Sequence, residues 1–118
     1  MRSMQSLFGV LCVSFVGLAV AHAHLEKTIP SDGATLQVAP REFRLRFAEP
    51  VRLTALTLQR QTGEPRKLPL PGGDAQREFT LAVPNLEAGH YQLSWRVLSD
   101  DGHVMPGKIS FTIGPQAH

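Results

Sequence analysis

The chain has 118 residues, 12 Lys and Arg against 10 Asp and Glu, and a net charge of +2 with its five histidines neutral. That length allows one domain at most. The near balance of charge, with no basic stripe interleaved with aromatics, argues against a nucleic-acid partner. The single cysteine, Cys12, rules out disulfides and thiolate metal clusters.

Residues 1–21 read as a secretory signal. Arg2 is followed by an apolar run from Leu7 to Ala21 that ends in the small-x-small pattern Ala19-Val20-Ala21. The run is shorter than the roughly 20 residues a membrane-spanning helix needs. A cut after Ala21 makes His22 the first residue of the exported protein. A cut after Ala23 also fits the rule and leaves His24 first, but it places a bulky polar residue inside the motif. Leu11 stands before Cys12 where lipidation would want a small residue, so Cys12 leaves with the signal. The exported domain is then 22–118, cysteine-free and nearly neutral, and large enough for one small core.

No long amphipathic helix is expected after residue 21; apolar and polar residues alternate instead at the period of half-buried strands. Phe43, Leu45 and Phe47 within Glu42–Phe47 make the clearest run. Phe79, Leu81 and Val83 repeat it, as do Tyr91, Leu93, Trp95 and Val97, and then Ile109, Phe111 and Ile113. Leu25–Ile29 and Leu53–Leu58 are strands of weaker pattern. Turn signals separate the runs at Ser31-Asp32-Gly33, Thr62-Gly63-Glu64-Pro65, Pro71-Gly72-Gly73-Asp74, Glu87-Ala88-Gly89 and Asp101-Gly102. Short strands at this spacing predict an all-β antiparallel sandwich or barrel. The irregular stretch Lys67–Gln76 is expected at one end of it, and Trp95 in its core.

Two pairs of residues could carry chemistry. Asp101 and His103 are two apart, so in extended chain they point the same way. They could share one metal ion, or the carboxylate could orient the ring. His22 and His24 have the same spacing. If His22 is the N-terminus, two chelate modes are open. In one, the α-amine and ring of His22 grip an ion whose shell Asp101 and His103 complete. In the other, the α-amine, the amides of Ala23 and His24 and the ring of His24 form a square-planar set. Both are nitrogen-rich and tetragonal, which points to Cu(II), with Ni(II) second; no four-residue zinc pattern is present. His90 and His118 are expected on the solvated surface. No catalytic triad, phosphate loop or nucleotide fingerprint occurs.

The combined run of motifs resembles one family. His22-Ala23-His24-Leu25 leads to Pro30-Ser31-Asp32-Gly33 and Leu45-Arg46-Phe47-Ala48-Glu49-Pro50-Val51. Leu86-Glu87-Ala88-Gly89-His90-Tyr91, Trp95-Arg96-Val97-Leu98-Ser99, Asp101-Gly102-His103, Gly107 and Phe111 follow. This pattern is similar to the CopC (YobA- and PcoC-like) periplasmic copper-binding proteins, and it covers essentially all of 22–118. The resemblance implies a small Greek-key β-barrel, akin to cupredoxins and immunoglobulin sandwiches. It also implies one Cu(II) ion held by His22, Asp101 and His103, with Glu49 near the site in some members and His24 matching members that begin His-x-His. The chain departs from methionine-rich members: after the signal only Met105 remains, so a second, Cu(I) site is not expected, and Met105 is read as a packing or surface residue.

The function expected is therefore a periplasmic Cu(II) carrier or buffer, not an enzyme. It would be monomeric and would act in copper resistance or in supply to a CopD-like inner-membrane transporter. Two alternatives stand beside it. An N-terminal His with a second His also builds the site of copper-dependent polysaccharide oxidases. Against that stand the short chain, the lack of disulfides and of a flat aromatic face, and a carboxylate where oxygen needs an open position. A metal-free immunoglobulin-like interaction domain would gain if the mature chain began elsewhere.

Overall fold

In the computed structural model, residues 24–115 are described. The expected signal, both cutting sites, His22 and His118 lie outside them. The described residues form seven strands and no helix: β1 (Leu25–Ile29), β2 (Ala34–Leu36), β3 (Glu42–Arg60), β4 (Arg66–Lys67), β5 (Gln76–Ala82), β6 (Gly89–Ser99) and β7 (Val104–Ile113). The sheet runs β1-β3-β6-β7-β2, with β4 and β5 also paired to β3. The described residues are thus all-β, and their sheet curls around one core.

The alternation read from the sequence is the burial pattern of the strands. Phe43, Leu45 and Phe47 of β3, Phe79 and Leu81 of β5, Tyr91, Leu93, Trp95 and Val97 of β6, and Ile109, Phe111 and Ile113 of β7 are all buried. Phe111 packs on Phe43 at 5.8 Å and on Tyr91 at 5.4 Å between ring centroids, and Phe47 meets Phe79 edge-on at 6.1 Å. Val83 lies past the end of β5 and packs half-buried against the core. Trp95 is buried as expected, with its indole over Gly107, the residue opposite it on β7.

The two separate strands expected at 42–47 and 53–58 are one 19-residue strand, β3. Two irregularities let it serve both ends of the curl. At Ala48–Pro50 the pairing with β5 jumps from Arg46↔Glu78 to Val51↔Gln76. At Thr54 the pairing with β6 slips by one residue, between Leu53↔Val97 and Ala55↔Arg96. This bulge switches the buried positions from odd numbers, Val51 and Leu53, to even ones, Leu56 and Leu58.

The short strands β2 and β4 were not anticipated. β2 adds to β7 in parallel fashion, after a turn in which Ser110 N–H donates to Asp32 Oδ1 at 2.8 Å. β4 sits in front of Leu68, whose buried side chain and bond to the Leu56 carbonyl anchor the irregular stretch that follows. That stretch returns towards the end of β6: Arg52 donates to the carbonyl of Gly73 at 3.1 Å, and Arg52 is the β3 partner of Leu98.

Candidate metal centre

One edge of β3 builds the site. At Val51 the strand is flanked by Gln76 of β5 on one side and Ser99 of β6 on the other. Over Arg44–Arg46 its two neighbours are β5 and β1. β1 and β6 therefore follow each other along the same edge, divided by the bend Ala48-Glu49-Pro50. The first described residue, His24, accepts the Ala48 N–H at 2.9 Å through its carbonyl, on the near side of the bend. Ser99, opposite Val51, stands on the far side. Three residues of strand, about 10 Å, separate the place where the chain enters β1 from the place where β6 turns into β7.

The β6–β7 turn is held by its own backbone and by one serine. Gly102 N–H donates to the Ser99 carbonyl at 3.0 Å, and Ser99 N–H donates to the His103 carbonyl at 2.9 Å. Gly102 carries a φ of +88°, which favours glycine. The Ser99 hydroxyl donates to Asp101 Oδ1 and accepts the His103 N–H at 3.3 Å. The other carboxylate oxygen, Oδ2, lies 3.1 Å from His103 Nδ1. The Ser99 hydroxyl, followed by the His103 N–H and ring, holds the Asp101 carboxyl below its ordinary range. An ionised carboxylate can only accept, so in this hydrogen bond the ring donates its Nδ1–H. The pair is open to solvent, with side chains 53% exposed for Asp101 and 78% for His103.

The structure thus joins Asp101 to His103 directly. Glu49 is exposed on the bend between His24 and Ser99 and makes no hydrogen bond or ion pair to either residue of the pair among the described residues. His24 is exposed beside Ala48. Among the described residues no group of three His, Cys, Asp or Glu side chains is placed to hold a metal ion. Any site built on the Asp101–His103 pair needs donors from elsewhere, and His22 lies outside the described residues. Met105 is half-buried against the core, in line with the packing role expected of it. His90 is exposed, with Nδ1 2.8 Å from Thr112 Oγ1.

Sequence reasoning assigned no role to Ser99. The available signal was its place in the alternation: it continues the inward series Tyr91, Leu93, Trp95, Val97 by one more step, as a polar residue in a buried slot.

A curled, strand-only domain with a polar turn closed by one serine defines the class, and comparison with known proteins defines the family. The CopC domain model matches residues 25–114, and the chain belongs to the CopC family. Protein YobA of Escherichia coli K12 is 32% identical over 120 residues, 95% of each chain. CopC from Methylosinus trichosporium OB3b has a crystal structure with a TM-score of 0.70 and 31% identity, covering 82% of this chain and 98% of that one. PcoC, a methionine rich copper resistance protein from Escherichia coli, matches with a TM-score of 0.58 and 28% identity over 79% of this chain and 99% of its own. Copper transport protein CutJ of Bacillus subtilis is 26% identical over 80% of this chain but 18% of its own length. The small β-barrel of Greek-key type anticipated from the motifs is the fold these matches share.

Proposed function

We propose that this chain is an exported Cu(II)-binding protein, a carrier or buffer that holds one ion through the α-amine and ring of His22, Asp101 and His103. The observation that carries the reading is the 3.1 Å between Asp101 Oδ2 and His103 Nδ1. Two donors bound side by side to one metal at bond lengths near 2 Å lie roughly 3 Å apart. The pair therefore already has the spacing of neighbouring ligands, and a metal bound to both would displace the proton from Nδ1. The copper-related names of the relatives support the choice of ion, as does the oxygen and imidazole character of the donors.

His22 precedes His24 by two residues, a reach of about 7 Å in extended chain. His24 is anchored about 10 Å from Ser99, so a processed N-terminus at His22 would come within range of the turn. Glu49, on the bend between them, is a candidate outer ligand. The second chelate mode, through the amides of Ala23 and His24 and the His24 ring, uses neither Asp101 nor His103, and spectroscopy separates the two. With Met105 half-buried, no thioether cluster for Cu(I) is proposed. The protein would act as a monomer in the periplasm, in copper resistance or in passing copper to a CopD-like membrane transporter. The match of the domain to a fraction of the longer copper transport protein CutJ supports that partnership.

Mass spectrometry of the exported protein, followed by Cu(II) titration and electron paramagnetic resonance, tests the reading. A first residue of His22 and a signal of nitrogen and carboxylate ligands are expected. Asp101→Ala, His103→Ala, or a single residue added before His22 should abolish high-affinity binding. Wild-type affinity in the Asp101 and His103 variants would overturn this ligand set and leave the four-nitrogen mode.

A further inference from the structure

Ser99 occupies the last inward position of β6, with 9% of its surface exposed, where the preceding inward residues are apolar. A polar side chain in such a slot is costly unless its hydrogen bonds are made. Its hydroxyl donates to Asp101 Oδ1, lies 3.3 Å from the His103 carbonyl, a second acceptor, and accepts the His103 N–H. Its main chain makes two more, accepting from Gly102 and donating to His103. One residue thus ties the turn at Asp101, Gly102 and His103.

We infer that Ser99 is the positioning residue of the metal centre: by occupying Asp101 Oδ1 it leaves Oδ2 as the single carboxylate oxygen presented beside the His103 ring. The inference rests on the copper-binding reading for its function, and on the turn geometry alone for its structural content. With Oδ1 engaged by the Ser99 hydroxyl, and the His103 N–H also within 3.4 Å of it, the carboxylate is fixed in rotation. It can offer one oxygen, not a chelating pair. Without the hydroxyl, the exposed carboxylate keeps only the long His103 N–H contact and the ring, and each binding event would have to order it further. Outer contacts of this kind, which orient a ligand without touching the metal, typically affect metal affinity by ten- to a hundredfold.

The experiment compares Ser99→Ala and Ser99→Thr with the parent protein, processed to His22. In Cu(II) titrations at fixed pH, Ser99→Ala is expected to bind about ten- to a hundredfold more weakly and to show altered copper paramagnetic resonance parameters. Ser99→Thr, which keeps the hydroxyl, should restore both. Equal affinity and an identical spectrum in Ser99→Ala, in a protein where Asp101→Ala abolishes binding, would overturn the inference. A second readout needs no metal. The nitrogen NMR shifts of the His103 ring should report the Nδ1–H tautomer in the parent and in Ser99→Thr, and a mixture in Ser99→Ala; an unchanged tautomer would overturn the positioning role. If Asp101→Ala binds copper as the parent does, the proposed ligand set fails, while the ring tautomer still decides what Ser99 does. Thermal unfolding verifies that each variant is folded, and Ser99→Thr alone against the parent decides the spectrum if Ser99→Ala is not.

Discussion

At the scale of single residues, the turn is governed by a carboxylate held in its ionised form. The Asp101 carboxyl lies below its ordinary value of 3.8, chiefly through the Ser99 hydroxyl. A group with a depressed folded value contributes stability above its unfolded value, and that contribution is lost as pH falls through the folded value. Asp101→Asn should therefore be less stable than the parent at pH 7. The difference should vanish in acid, once the carboxyl is protonated in both folded and unfolded chains. Urea unfolding at the two pH values checks this, and a small difference is expected for so exposed a group. Copper affinity should fall in the same direction, because the ligands must be deprotonated to bind the ion. The i, i+2 spacing of Asp101 and His103 was legible in the sequence because extended chain puts such residues on one side. The Ser99 contact was not, because it depends on the chain reversing at Gly102.

At the scale of elements, β3 decides the architecture. A regular strand of 19 residues would keep one parity of side chains in the core throughout. Here Val51 and Leu53 are buried, then Leu56 and Leu58, and the extra residue at Thr54 absorbs the change. Removing Thr54 leaves Leu53, Ala55 and Leu56 in strict alternation, opposite Val97, Arg96 and Trp95 as before. The variant lacking Thr54 should still fold and unfold cooperatively, whereas the variant lacking Thr57 turns Leu58 outward and should not. Circular dichroism melts of the two deletions distinguish these outcomes. The periodicity marked 42–47 and 53–58 separately, and they show as one strand only through a shared partner, β5, whose pairing continues across Ala48–Pro50 from Arg46 to Val51. The edge of the sheet follows the same logic. Ser110 turns its backbone N–H and carbonyl to the β2 side, so Pro106, of the same parity, sets its missing N–H on the open edge of β7. A proline there removes a donor that another strand could pair with.

Across the whole molecule, one continuous apolar core carries the stability. It extends from Phe43 to Ile113 and takes residues from β3, β5, β6 and β7. The ion pairs of the outer faces, such as Arg44–Glu42, Arg44–Glu78 and Arg46–Glu26, are half-exposed and contribute about 0–1 kcal/mol each. Trp95 lies closely over Gly107: a Cβ on residue 107 would stand 2.5 Å from the indole. Gly107→Ala should therefore displace the indole and cost about 1–3 kcal/mol in equilibrium unfolding, with copper binding little changed, since the substitution leaves the 99–103 turn intact.

The sequence by itself determined the all-β class, most of the buried residues, and the Asp101–His103 pair. Each of these is local: alternation within a strand, or two side chains two residues apart. Only the tertiary structure decided that β1 and β6 share one edge of β3, on either side of Ala48–Pro50. It also decided that Ser99 closes the turn and that Gly107 lies under Trp95. These depend on which strands pair and in what register, and pairing is set by the packing of the whole core and by bulges that no short window of sequence contains.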